Sequence, residues 1–218
     1  QYSVALANVI LKDESRTEEF ENDGSCREIP VYFYYPENGN EKYPLVIFSH
    51  GAFGYYQSNT STYMELASHG YVVASIEHPY HSLFTHDSDG KLIICDSRTM
   101  NDFLTIGNME TDDAAGYYET TSGWMKLRKA DMNFAADTIK EACISGTDDS
   151  WCKKTGSIES VLEVTDTSKI GLMGHSLGGI TSVAVGRERN DVGAVIDIDG
   201  TMLGEISLCD DKIVSDTT

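Results

Sequence analysis

Two early segments are dense in apolar, β-branched and aromatic residues. Glu28–Pro36 carries Ile-Pro-Val-Tyr-Phe-Tyr-Tyr, and Tyr43–Ser49 contains the unbroken run Leu45-Val46-Ile47-Phe48. A run without polar alternation predicts a strand buried on both faces. Tyr71–Ile76 has the same character, and before it Thr60–His69 has helical spacing that stops at Gly70. From Pro79 to Ser122 the chain is polar, with a turn signal at Asp89-Gly90 and a short strand signal over Lys91–Cys95. That stretch is too long for an ordinary connection, so residues 82–122 read as a lid-like insertion with short elements of its own. Gly123–Cys143 returns to helical spacing, with Trp124, Leu127, Ala130, Phe134, Ala135, Thr138, Ile139 and Ala142 on one face. Ile170–Gly174 then reads as a strand, Leu177–Arg189 as a helix and Ala194–Ile198 as a strand. Strands alternating with helices predict an α/β fold, a mostly parallel sheet with helices on both faces.

The 218 residues fit one domain, 1–218. A 40% hydrophobic share supports a sizeable core and excludes a disordered chain. Acidic residues number 35 against 16 basic ones, a formal charge of −19. Like charge then argues against nucleic acid and anionic membranes as partners. No segment approaches the roughly 18 apolar residues of a membrane span. The five cysteines form no C-x-x-C pair, and neither a metal nor any other cofactor is expected. Cys143 and Cys152 flank a polar loop and could close a small disulfide; otherwise all five stand as free thiols. The chain opens at Gln1 without a Met, which suggests a removed leader or tag. With the acidity, the possible disulfide and the sequon Asn59-Thr60-Ser61, it points to a secreted or periplasmic protein.

Gly174-His175-Ser176-Leu177-Gly178-Gly179 fits G-x-S-x-G between a predicted strand and a predicted helix. A sharp strand-to-helix turn pushes the central serine out above the sheet in a strained conformation. The helix N-terminus behind it offers partial positive charge and free N–H groups to an oxyanion. Ser176 is therefore the candidate nucleophile. A second donor is expected from the loop after an earlier buried strand, Ser49-His50-Gly51-Ala52-Phe53-Gly54. We assign the oxyanion hole to the N–H groups of Ala52 and Leu177, with Phe53 as the alternative first donor. His50 is read as holding this loop by a hydrogen bond, because the order in this arrangement is Ser, acid, then His.

These blocks, with Val46-Ile47-Phe48-Ser49-His50-Gly51, Leu66-Ala67-Ser68-His69-Gly70-Tyr71-Val72-Val73-Ala74 and Glu77-His78, carry a family likeness. Over roughly Ile29 to Gly204 the chain resembles the plasma-type platelet-activating-factor acetylhydrolases and their bacterial relatives, with cutinase-like polyesterases as neighbours. The resemblance implies an α/β-hydrolase fold and cleavage of short or oxidised acyl esters. It also implies an acid after the strand that follows the elbow helix. Asp197 and Asp199 both lie there and share a strand face. Position at the strand end, the Asp199-Gly200 turn signal and the alignment with Met202 favour Asp199.

The resemblance further implies a histidine well beyond the acid. His50, His69, His78, His81, His86 and His175 all precede Asp199. The expected fold thus lacks its last strand and histidine loop. Three explanations stand: a C-terminal fragment present as a second chain, for which Cys209 offers a bridging thiol; loss of that piece; or a pseudoenzyme whose pocket binds without turnover. His78 and His81 read as pocket-wall or hydrogen-bonding groups rather than metal ligands. His50, Phe53, Tyr55, Tyr56, Tyr80 and His175 are candidate pocket residues, and Asp131, on the helix after the insertion, reads as a salt-bridging residue. The expectation is a serine hydrolase acting on a small carboxylic ester, short-chain acyl or like platelet-activating factor, through an acyl-enzyme on Ser176. A non-catalytic binding protein on the same fold, or an amide hydrolase, is the alternative.

Overall fold

The computed structural model describes residues 1–39, 41–202, 206–209 and 212–215, with side chains omitted at 107–112, at 114 and from 203 onward. The chain begins with two long strands, β1 (Val4–Thr17) and β2 (Cys26–Pro36), paired antiparallel with Val9 opposite Val31. Next come β3 (Tyr43–Ser49), helix α1 (Thr60–Ser68) and β4 (Val72–Ile76). The insertion carries a small hairpin, β5 (Phe84–His86) with β6 (Leu92–Ile94), and helix α2 (Ser97–Asp112). Helix α3 runs from Ala114 to Ser145, so residues 114–122 extend the long helix rather than the insertion. Asp113 caps it, its side chain accepting the Gly116 N–H. There follow β7 (Trp151–Thr155), α4 (Ile158–Val164), β8 (Thr165–His175), α5 (Leu177–Glu188) and β9 (Val192–Ile198). A last antiparallel hairpin joins β10 (Ile206–Cys209) to β11 (Lys212–Ser215).

The main sheet has the order β7-β1-β2-β4-β3-β8-β9. Strands β4, β3, β8 and β9 are parallel to one another, and β2, β1 and β7 extend the sheet antiparallel. Strand alternation divides its side chains between two layers. Val31, Phe33, Leu45 and Ile47 face Met132, Ala135, Ala136 and Ile139 of α3. Tyr34, Phe48 and Val73 face Tyr63 and Ala67 of α1 on the other side. A third cluster joins Trp124 and Met125 of α3 to Leu177, Ile180 and Ala184 of α5. The parallel strands therefore end together at the edge where β8 turns into α5.

Of the two alternatives for Cys143 and Cys152, the structure has the free thiols. Cys26, Cys95, Cys143 and Cys152 are free thiols. Cys143 is half-buried on α3 against the core, whereas Cys152 is exposed on β7 with its Sγ against the carbonyls of Asp149 and Ser150. The side chain of Cys209 lies outside the described residues. Among those residues, no helix is long and apolar enough to cross a membrane.

Candidate active site

Strand β8 ends at His175 and α5 starts at Leu177, which leaves one residue for the reversal. Ser176 has φ 52° and ψ −122°, a region that costs a side-chain-bearing residue free energy and is kept only where its surroundings impose it. Those surroundings are backbone bonds. The Ser176 N–H donates to the Ile198 carbonyl at 2.8 Å, and its carbonyl accepts from the N–H of Gly179 at 2.8 Å. Close crossing fixes the glycines: a Cβ at Gly178 would collide with the Ser49 carbonyl, and one at Gly174 with that of Gly178. Leu177, as the first residue of α5, has an N–H without an acceptor in its own helix.

The loop after β3 lies directly beside this turn. A Cβ on Gly51 would stand 3.2 Å from the Cβ of Ser176 and 3.0 Å from Nδ1 of His175. The Gly51 carbonyl is held by the Gly54 N–H at 3.1 Å and by Nδ1 of His50 at 2.7 Å. In a planar trans peptide the N–H points opposite to the C=O, so the Ala52 N–H is turned the other way. Phe53 follows with φ 58°. Its ring meets Phe103 of α2 edge-on at 5.3 Å, and Phe103 meets Trp124 at 4.6 Å. Phe103 and Ile106 of α2, and Met202 after β9, pack on the cluster that contains Leu177, so the insertion reaches the elbow through the two α2 residues.

The two acids differ in use. Asp197 Oδ1 accepts the Gly200 N–H at 2.9 Å and so forms the turn after β9. Asp199 is exposed with φ 58°. Among the described residues, no histidine hydrogen-bonds to either carboxylate. His175 is half-buried beside Gly51, and exposed His69 lies against Glu65. Tyr55 lies against Phe84 at 5.0 Å. Tyr80 stacks on Phe20 and donates to Glu21, lining a polar cavity with Glu18 and Lys91.

His86 is exposed on β5, whereas His50, His78 and His81 lie in a buried polar network behind the loop. Asp131 receives a two-pronged bond from Arg27, at 3.1 and 2.7 Å, and lies 2.9 Å from Arg16. Burial alone would raise this carboxyl, but Arg27 and the His78 hydrogen bond hold it far below the carboxylate range. Burial, with Arg128 nearby, pushes His78 down to about 4. A neutral His78 thus donates from Nδ1 to Asp131 at 2.9 Å and accepts the Ser49 hydroxyl at Nε2, also at 2.9 Å. This is a Ser–His–Asp relay in form, but all three side chains are sealed from solvent. His50 is likewise neutral, pushed well below its usual value by burial and by Arg128; its Nε2 lies 2.9 Å from the Ser82 hydroxyl. Glu77 accepts the Tyr56 N–H, and burial raises its carboxyl to about 7. Among the described residues no group of His, Cys, Asp and Glu has the makings of a metal site.

Arg27 and Arg128 escaped the sequence reading. Arg128 and Asp131 stand four and seven positions after Trp124, in phase with its core-facing stripe. A charge on an apolar stripe was the available signal.

A sheet with a parallel centre, helices on both faces and a strained serine between strand and helix defines the α/β-hydrolase fold. Solved structures share it. A ferulic acid esterase from Streptomyces cinnamoneus superposes with a TM-score of 0.68 at 22% identity, covering 94% of this chain and 61% of its own. A dienelactone hydrolase-like promiscuous phosphotriesterase from metagenomic libraries gives 0.51 at 15% identity, covering 90% of this chain and 59% of its own. The sequence model of the family described as platelet-activating factor acetylhydrolase, isoform II, matches residues 20–213, and the chain belongs to that family. Platelet-activating factor acetylhydrolase of Cavia porcellus is 27% identical over 171 residues, 72% of this chain and 34% of that protein. That of Gallus gallus is 27% identical over 161 residues, 66% of this chain and 35% of its own length. The chain thus spans about a third of the length of these relatives.

Proposed function

We propose that this chain carries the nucleophile and oxyanion hole of a serine hydrolase that cleaves a small carboxylic ester. The observation that carries this reading is the left-handed backbone of Ser176 at the β8–α5 turn, with the Gly51 loop packed against its Cβ. Ser176 Oγ attacks the ester carbonyl, and the oxygen that becomes negative is taken by the N–H groups of Ala52 and Leu177. The alkoxide leaves, an acyl-serine remains, and water releases the acid. A general base must take the serine proton, and we assign Asp199 to orient a histidine for that step. Asp197 is committed to the Gly200 turn, which supports the choice. Phe103, Ile106, Trp124 and Met202 form an apolar wall beside Leu177 suited to a short acyl chain. Membership in an acetylhydrolase family and an esterase with the same fold support an ester rather than an amide.

The test is labelling of the natural full-length protein with a fluorophosphonate probe, beside turnover of a p-nitrophenyl acetate series. Ser176 should carry the label, and Ser176→Ala should lose it with at least about a 10³-fold fall in kcat. A folded wild-type protein that neither labels nor turns over would establish the non-catalytic binding reading instead.

A further inference from the structure

Arg128 is fully buried, yet no carboxylate hydrogen-bonds to it among the described residues. Asp131, one turn away, is taken up by Arg27, Arg16 and His78. Glu77 accepts the N–H of Tyr56 at Oε1, and it acts on Arg128 through space without a hydrogen bond. The Arg128 guanidinium instead donates from Nη1 to the His50 carbonyl at 2.5 Å and from Nη2 towards the Gly51 carbonyl at 3.5 Å; its Nε faces His81 Nδ1 at 3.5 Å. A buried cation without a hydrogen-bonded carboxylate is costly, and an apolar side chain of similar volume would fill the space at less cost. Packing alone gives no reason for an arginine here. Its fork spans two successive carbonyls, and each carbonyl fixes the plane of the peptide that supplies the next N–H. The His50 carbonyl orients the N–H of Gly51, and the Gly51 carbonyl orients that of Ala52.

We propose that Arg128 is a positioning residue that presets the oxyanion hole by holding the carbonyls of His50 and Gly51 away from the reacting centre. The inference rests on the hydrolase reading above. His50 and the Gly54 N–H assist at the Gly51 carbonyl, but both belong to the same loop. Arg128 alone among these donors ties the loop to a separate element, α3. Without it the Gly51–Ala52 peptide is held only by bonds from within its own loop, so it rotates more readily, and a carbonyl turned inward would meet the oxyanion with like charge.

The experiment uses Arg128→Met and Arg128→Lys in the natural full-length protein, with folding checked by circular dichroism and thermal melting. Each is assayed on matched oxo- and thionoesters of one acid. An oxyanion hole shaped for oxygen accelerates the oxoester far more than its sulfur analogue. The expected result for folded Arg128→Met is a fall of about 10² in kcat on the oxoester, KM within about threefold, and a smaller fall on the thionoester. The oxo-to-thiono ratio therefore drops. Arg128→Lys, which keeps the charge but not the fork, should fall between, and it carries the test if the Met variant does not fold. A merely structural role lowers the active fraction and leaves the ratio unchanged; an unchanged ratio in a folded variant overturns the proposal while the hydrolase reading stands. If the wild-type protein hydrolyses neither ester, the hydrolase reading fails and this inference falls with it.

Discussion

Glu77 and His78 are neighbours in the chain, and burial acts on them with opposite sign. Glu77 rises from 4.5 to about 7, so between those values the folded protein keeps a proton the unfolded chain has released. Stability contributed by that proton is lost as pH rises through the window. His78 falls from 6.5 to about 4, so there the unfolded chain binds the extra proton, and stability is lost as pH falls from 6.5 towards 4. Glu77→Gln isolates the first effect, since an amide oxygen can still accept the Tyr56 N–H and carries no charge. The variant should be more stable than wild type above pH 7, by at most about 3 kcal/mol, with the advantage fading towards pH 5. Urea unfolding at pH 5 and pH 8 measures both; an advantage equal at the two values would show that ionisation of Glu77 is not the cause. At this scale the sequence was partly legible. The strained turn at Ser176 and the close approach of the Gly51 loop were legible, because their glycine spacing reflects backbone geometry. The protonation states depend on what surrounds each group, and only the fold determines that.

Helix α3 is held to the β1–β2 pair by charge as well as by its apolar face, because Arg27 and Arg16 both reach Asp131. Replacing Asp131 with Ala would leave a sealed guanidinium with Glu18 as its remaining carboxylate. A loss of about 3–5 kcal/mol is expected. Asp137, two turns along the same helix, pairs with Arg189 from a position 67% exposed. Asp137→Ala should cost no more than about 1 kcal/mol. Denaturant midpoints of the two variants test the contrast, and equal losses would refute it. Element by element, the strands buried on both faces were readable, since β3 spans the predicted Tyr43–Ser49 and β4 begins one residue later than predicted. Strand β1 was not read, because it runs on through Lys12-Asp13-Glu14-Ser15-Arg16, a polar stretch that resembles a loop. Asp13 is nevertheless buried against Ser15 and Arg16. Strand β7 was missed for a related reason: only Trp151 of its five residues is buried, so no alternation marks it.

At the scale of the whole molecule, the described residues cover the two faces of the sheet unequally. α3 and α5 pack on one face, but α1 covers only part of the other. Beyond α1 lies a largely apolar cavity of about 280 Å³, whose lining includes Val46, Leu66, Tyr71, Leu172, Ala194 and Ile196. It adjoins β9, the edge of the sheet among the described strands, where Val195 and Ile196 are 38% and 51% exposed. An open edge beside apolar side chains favours pairing with another chain. The formal charge of −19 opposes this, since two copies repel at long range. Salt screens that repulsion but leaves the apolar contact intact. For a polypeptide of these 218 residues, self-association should therefore increase between about 0.05 and 0.5 M NaCl, where the Debye length shrinks several-fold. Ile196→Lys, which places a charge in the groove, should hold the chain monomeric at both concentrations. Sedimentation velocity distinguishes the outcomes: association that weakens with salt would be electrostatic in origin, and association untouched by Ile196→Lys would use another surface.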